Sequence, residues 1–285
     1  MGHHYVPQRY LKNFGAPEQP ELIWLHDKKG GAPKLVPIEV VAQAKGYYSE
    51  QTEALLAREI EGPANLVIQK LMENKSLDRA ERFRLTYYLG TMLKRVPYRR
   101  RKAMETYPSV LDDTIARVRE QIKDLARSLP DANPAIVAKR LAEVDAAHRK
   151  PATKPPPEID TQVREPWPSE EMLDAIYRMT WRVLVSAGPQ YFITSDNPAF
   201  FFGAYGLGTP KAELTFPLST THCLHGCWQG AERTLLFMGA KQAFVKEANR
   251  RLASATERLA FYHELAPWLE RILQKKDPYL SAIRW

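Results

Sequence analysis

The chain opens Met-Gly-His-His-Tyr-Val-Pro, and the adjacent imidazoles His3 and His4 are the first groups able to do chemistry. A neutral imidazole takes up a proton or ligates a metal, and a charged one holds an anion. Carboxylates follow at Glu53 and Glu61, on a helical pattern interrupted by Gly62-Pro63. Arg95 follows the apolar stripe of Leu85, Leu89 and Met92, so its guanidinium is expected to point inward. Arg99, Arg100 and Arg101 come after Pro97, flanked by Lys94 and Lys102. A β-like run then ends in Thr194-Ser195-Asp196-Asn197-Pro198, where a rigid strand end can aim the Asp196 carboxylate.

Brought into one cleft, these groups would suit a phosphate-bearing substrate. His4 would act as acid/base or ligand. Glu61 and Asp196 would hold a divalent ion such as Mg or Mn or activate water, and Arg95 would steady phosphate charge. His3, Arg99, Arg100, Ser195 and Asn197 would contact the substrate, with Tyr88 stacking on a base. The reading is a hydrolase, nuclease-like or acting on a nucleotide. The alternative is a non-catalytic nucleic-acid or nucleotide binding module. There the arginine-rich face does the work, and His4, Glu61, Arg95 and Asp196 form an internal brace. The cofactor stays open.

"HCLHGC", residues 222–227, invites a zinc reading. On a strand, Cys223 and Cys227 lie about 13 Å apart, too far for one ion. Buried strand cysteines are expected instead, and no structural zinc. Ser195 lacks a nucleophile elbow, and the chain has no phosphate loop, Rossmann glycine signature or His-Glu-x-x-His.

The opening "HHYVPQRYLKNF" resembles the start of a bacterial family known as domain of unknown function 4238, through His3, His4, Val6, Pro7, Tyr10, Leu11 and Phe14. Glu53, Glu61, "RVPYR" (95–99), "FITSDNP" (192–198) and "ANRRLA" (248–253) are similar to that family as well. The resemblance implies that His3 and His4 are native rather than a tag remnant. It brings no activity with it.

The elements that must position these groups can be read from pattern. A short helix is expected over His3–Phe14, then a hairpin of Leu22–Asp27 and Lys34–Ile38 turning at Gly30-Gly31. A kinked or split helix follows over Glu50–Asn74, and a second long helix capped by Asp78. More helices are expected at Ser109–Ser128, Pro134–His148, Glu170–Ser186, Lys241–Ala255 and Pro267–Lys275. Strands are expected in "YFITSD", "AELTFPLS", "THCLHGCW" and "RTLLFMG". The fold class is α+β, predominantly helical, with an N-terminal β-hairpin and a small, mainly antiparallel C-terminal sheet. One composite domain is expected: a hairpin plus helical part (1–148), a proline-rich linker (149–168) and a β-rich part with terminal helices (169–285).

The 285 residues carry 41 Lys and Arg against 33 Asp and Glu, a formal charge of +8, which favours an anionic partner. The two cysteines fit a reducing compartment, and no run reaches the roughly 18 apolar residues of a membrane span. The N-terminus shows no apolar signal region. A cytoplasmic protein without membrane association is expected.

Overall fold

The chain begins with a strand where a helix was expected. β1 (Gly2–His4) pairs antiparallel with β4 (Gln43–Lys45), setting His3 opposite Ala44 and His4 opposite Gln43. Pro7 stays extended, with ψ 135°, so helix forms only beyond it, as α1 (Gln8–Leu11) and a 3-10 turn over Lys12–Phe14. The fixed φ of proline suits a helix start, and the distant strand takes up the backbone of the histidines. The computed structural model describes residues 2–129, 131–149, 165–202, 206–265 and 267–274. These divide into two compact units, one from residues before 99 and after 164, the other from residues 99 to 164.

In the first unit, β2 (Leu22–Asp27) and β3 (Lys34–Pro37) form the expected hairpin. Gly30 and Gly31 turn it with φ of 116° and 102°, where a side chain would be strained. β2 also pairs with β11 (Leu259–Tyr262), which in turn pairs with β6 (Thr194–Ser195). The order β3-β2-β11-β6 thus joins the N-terminal hairpin to the Thr-Ser-Asp-Asn-Pro segment.

Ser49 caps α2 (Glu50–Leu55) by accepting from Thr52 N at 3.0 Å. The helix widens into a π-helical stretch over Leu56–Glu61 and continues as α3 (Gly62–Met72). Proline in a first turn sacrifices no helical bond, so the irregularity expected at Gly62-Pro63 shows just upstream, as the π stretch. Asp78 heads α4 (Arg79–Lys94) through a capping box: its Oδ1 accepts from Glu81 N at 2.8 Å, and Glu81 Oε2 accepts from Asp78 N at 2.9 Å. Gly90 on α4 lets Pro168 pack close, since a Cβ there would sit 2.7 Å from the proline ring.

α5 runs Pro97–Ser128, starting a dozen residues before the expected helix, and α6 runs Pro134–Arg149. Most of the proline-rich stretch, residues 150–164, lies outside the described residues.

α7 (Glu170–Arg178) ends sooner than the expected Ser186. Met179 turns to ψ 148°, and the β-branched and aromatic run "TWRVLV" becomes β5 (Thr180–Val185). β5 pairs antiparallel with β9 (His222–Cys227) and parallel with β10 (Leu235–Gly239). With β7 (Phe200–Phe202) and β8 (Glu213–Pro217), they make a mixed sheet ordered β10-β5-β9-β8-β7. α8 (Gln242–Ala255) and α9 (Pro267–Leu273) complete the unit. One face of the mixed sheet, with Trp181, Val183, Leu214, Phe216 and Leu224, packs into a core with Leu85 and Leu89 of α4 and Tyr10 and Phe14 near the N-terminus. The fold is α+β, as expected.

Candidate functional site

Arg95 follows the last turn of α4 and its side chain is wholly buried. Its Nη1 donates to Glu61 Oε1 at 2.5 Å, and its Nη2 donates to the His4 carbonyl. The guanidinium lies 5.8 Å from the Tyr48 ring, and Tyr48 Oη donates to the Arg95 carbonyl at 3.0 Å. β1, the π stretch and the end of α4 are therefore tied at one point. The π stretch matters here, because on a straight helix Glu53 and Glu61 would point about 80° apart. Both carboxylates border the same surroundings: Glu61 bonds Arg95, while Glu53 acts electrostatically on Tyr48, beside Arg95. Burial, with Glu61 nearby, holds the Tyr88 phenol well above its ordinary range.

The histidines are half-buried at the rim. His3 Nδ1 accepts from Tyr48 N at 3.0 Å, which leaves the proton of a neutral ring on Nε2. His4 Nε2 stands 3.1 Å from the Glu39 carbonyl and so carries the donating proton, leaving Nδ1 to face the Gln8 amide at 3.5 Å. Glu61 keeps part of its carboxylate open, its side chain 18% exposed. Three buried polar atoms in this neighbourhood make no hydrogen bond among the described residues: Glu53 Oε2, Tyr88 Oη and Arg95 Nε.

Asp196 is placed differently. It is buried, and its carboxylate is filled by backbone donors: Oδ1 takes Glu257 N at 2.9 Å, and Oδ2 takes Arg258 N at 2.7 Å and Leu259 N at 2.9 Å. Burial still dominates and raises its pKa to about 6, against those bonds. Ser195 Oγ accepts from Asn197 N at 3.0 Å, and the Asn197 amide donates to the Ala255 carbonyl at 2.8 Å. Thr194 is bonded to Tyr10 Oη at 2.8 Å, which itself donates to the Pro217 carbonyl at 2.8 Å. The segment clasps β11, the end of α8 and α1. Direct bonds join His4, Glu61 and Arg95, whereas the direct partners of Asp196 are three amides of residues 257–259.

Of the expected substrate contacts, Tyr88 has no exposed face. Its ring packs edge-on to Phe216, 6.1 Å between centroids, so base stacking by Tyr88 is corrected to a core role. Ser195 and Asn197 are buried within their turn. Arg99 and Arg100 lie on α5 in the second unit, with Arg99 exposed. Arg101 pairs with Glu105 one turn on.

A second polar centre includes His225 and Cys227 of "HCLHGC", joined by residues that no sequence motif marks as their partners. On the mixed sheet, Arg182, His225 and Thr215 form one cross-strand row, and Cys227 with Glu213 the next, all on one face. α8 adds Glu247 and Arg251, one turn apart. Arg251 Nη2 donates to Glu213 Oε2 at 2.6 Å, and Nη1 to Thr215 Oγ1 at 3.3 Å. His225 Nε2 stands 3.3 Å from the same Glu213 oxygen, and Arg182 Nη1 lies 2.6 Å from Cys227 Sγ. Burial lowers the His225 pKa, and both cysteines are buried and free. "HCLHGC" and "ANRRLA" supply His225, Cys227 and Arg251, and the i, i+4 spacing of Glu247 and Arg251 is a further signal. Among the described residues, no group of three or more His, Cys, Asp or Glu side chains is arranged to hold a metal ion. No described helix is long and apolar enough to cross a membrane.

Comparison with known families adds one observation. The sequence model of a family described as a protein of unknown function (DUF4238) matches residues 2–265. The chain belongs to the DUF4238 family. In this DUF4238 protein, the histidine pair, Glu61 and Arg95 form one bonded knot, and the Thr-Ser-Asp-Asn-Pro segment forms a clasp. No curated protein and no solved structure matches the chain.

Proposed function

We propose that this DUF4238 protein binds the phosphates of nucleic acid without turning it over, through the basic first turns of α5. The observation that carries this reading is where the inward groups spend their hydrogen bonds. Arg95 gives its two terminal nitrogens to Glu61 and the His4 carbonyl, and Asp196 is filled by three amides. A guanidinium and a carboxylate occupied in this way brace a fold; they do not reach a ligand. Arg99 is exposed at the head of a basic run with Arg100, Arg101 and Lys102, where phosphate can reach it. Glu105, in the third turn, pairs with Arg101 and Lys102.

A second reading, hydrolysis at Glu61 with His4 as proton carrier, is favoured by one feature. Glu61 is partly open, and Glu53 Oε2 and Tyr88 Oη lack partners among the described residues, as they would before a polar ligand entered. One experiment separates the two. The protein is incubated with labelled RNA and DNA, with Mn²⁺ or with chelator. Binding that falls with salt, with no product formed, supports the module. Product that disappears in Glu61→Gln supports hydrolysis and overturns it.

A further inference from the structure

A cleft of about 240 Å³ opens at the start of α4, lined by Leu77, Asp78, Arg79, Arg82, Tyr177, Arg233 and Leu235. It holds three guanidinium groups, and among the described residues none of them is paired with a carboxylate. Arg82 is 6% exposed. Its Nε donates to the Tyr177 carbonyl at 2.9 Å and its Nη2 to the Met179 carbonyl at 2.6 Å. Its Nη1 makes no hydrogen bond among the described residues. The guanidinium lies over the rings of Trp181 and Tyr177, at 3.9 Å and 5.6 Å from their centroids. Rings and carbonyls ease a buried cation but do not neutralise it. A charge removed from water without a counter-ion is costly.

The rest of the cleft adds to that deficit. Arg233 lies 5.5 Å from the other part of the cage, the Tyr177 ring, and it repels Arg82. Its φ of 61° is uncommon for a residue with a side chain. Arg79 is the first residue of α4, where unpaired amides already favour an anion. The hydrogen bonds of the neighbouring acids go elsewhere: Glu232, though attracted by Arg233, is bonded twice by Arg178, at 2.7 and 3.1 Å, and both Glu81 oxygens are bonded by Lys70 at 2.7 Å. Asp78 is the one carboxylate in the lining. Three cations and one anion leave two positive charges, which a phosphate dianion would balance.

We propose that this cleft is a binding site for a phosphate monoester dianion, gripped by Arg79, Arg82 and Arg233. Guanidiniums match phosphate oxygens in pairs of hydrogen bonds. Arg82 Nη1 is fixed by the bonds of its sister nitrogens, so it is preorganised rather than ordered on binding. The cleft suits a single phosphate group. Tyr177 and Leu235 at its wall provide the surface on which an organic substituent would lie.

The test titrates inorganic phosphate into the full-length protein by calorimetry, with chloride as the only other anion. Arg82 also supports α7, so the variants spare it. Arg79→Ala and Arg233→Asn, the latter tolerant of positive φ, should each weaken binding about tenfold. Asp78→Asn keeps the helix cap and removes the opposing charge, so it should tighten binding several-fold. A structural role for these residues would not raise affinity in the third variant. A nucleoside 5′-monophosphate titrated in parallel identifies the source of the phosphate: equal affinity marks the free ion, tighter affinity the ester, and either supports the site. No heat of binding in the wild type, or unchanged affinity in Arg79→Ala and Arg233→Asn, would overturn it. The site does not rest on the nucleic-acid reading. Arg99→Ala should leave phosphate titration unchanged, so either proposal can fail alone.

Discussion

Arg95 and Glu61 meet at 2.5 Å, with the arginine side chain wholly buried and the glutamate open at one side. The same guanidinium holds the His4 carbonyl, so one buried charge fixes the strand carrying both histidines. Removing one partner of such a pair leaves the other uncompensated, at a cost of about 3–5 kcal/mol. Arg95→Ala should therefore lose stability on that scale in urea unfolding. Glu61→Gln should lose stability on a similar scale, because it leaves the wholly buried Arg95 without its counter-charge, although the amide oxygen still accepts a bond. A loss under about 1 kcal/mol for Arg95→Ala would show that the knot does not brace the fold.

Asp196 should make stability depend on pH in an unusual direction. Burial raises its folded pKa to about 6, above the unfolded value of about 3.9. Between those values the folded state holds the extra proton, so this group's contribution falls as pH rises through the window. The displacement corresponds to about 3 kcal/mol at most, at about 1.4 kcal/mol per pH unit. His26, His222, His225 and His263, lowered by burial, push the other way. They do so in wild type and variant alike. The stability of wild type minus that of Asp196→Asn should therefore grow as pH falls from about 6 to about 4. A flat difference would show that the three amides outweigh burial.

Tyr88 carries a hydroxyl into the core with no hydrogen-bond partner among the described residues. An unsatisfied buried hydroxyl costs about 1–3 kcal/mol, and the ring alone makes the packing contacts. Tyr88→Phe should thus be neutral or stabilising by up to that amount in thermal unfolding. A clear loss of stability would mean that a bound molecule, retained through purification, normally satisfies the hydroxyl.

What could be read from the chain follows the range of the forces involved. The hairpin about Gly30-Gly31 and the α4 cap at Asp78 were legible, because a turn and a capping box are settled within a few residues. His3 and His4 depart from the expected helix because their strand is held by Gln43–Lys45, a partner that no local pattern reveals. "TWRVLV" was read into a helix because its apolar residues continue the stripe of α7, and only a place between β9 and β10 makes it a strand. For the site, the inward turn of Arg95 followed from its position beside an apolar stripe. The saturation of Asp196 by residues 257–259 could not be seen, since backbone amides carry no side-chain signature. Arg250 and Arg251 look alike in sequence, yet one is exposed and the other fully buried.

Salt dependence offers the sharpest check on the nucleic-acid reading. Each phosphate neutralised by Lys or Arg steepens the fall of log K with log salt by about 0.9 on a duplex or about 0.7 on a single strand. Arg99 is exposed and makes no ion pair among the described residues, so Arg99→Ala should weaken binding and flatten that slope by nearly one such contact. Arg101 shares Glu105 with Lys102, so Arg101→Ala should change the slope less, because counter-charge is already present. The weakening should be alike for all sequences, since phosphate contacts position a ligand without reading its bases. Fluorescence anisotropy across a salt series measures both quantities. An unchanged slope in Arg99→Ala would place the binding surface elsewhere than α5.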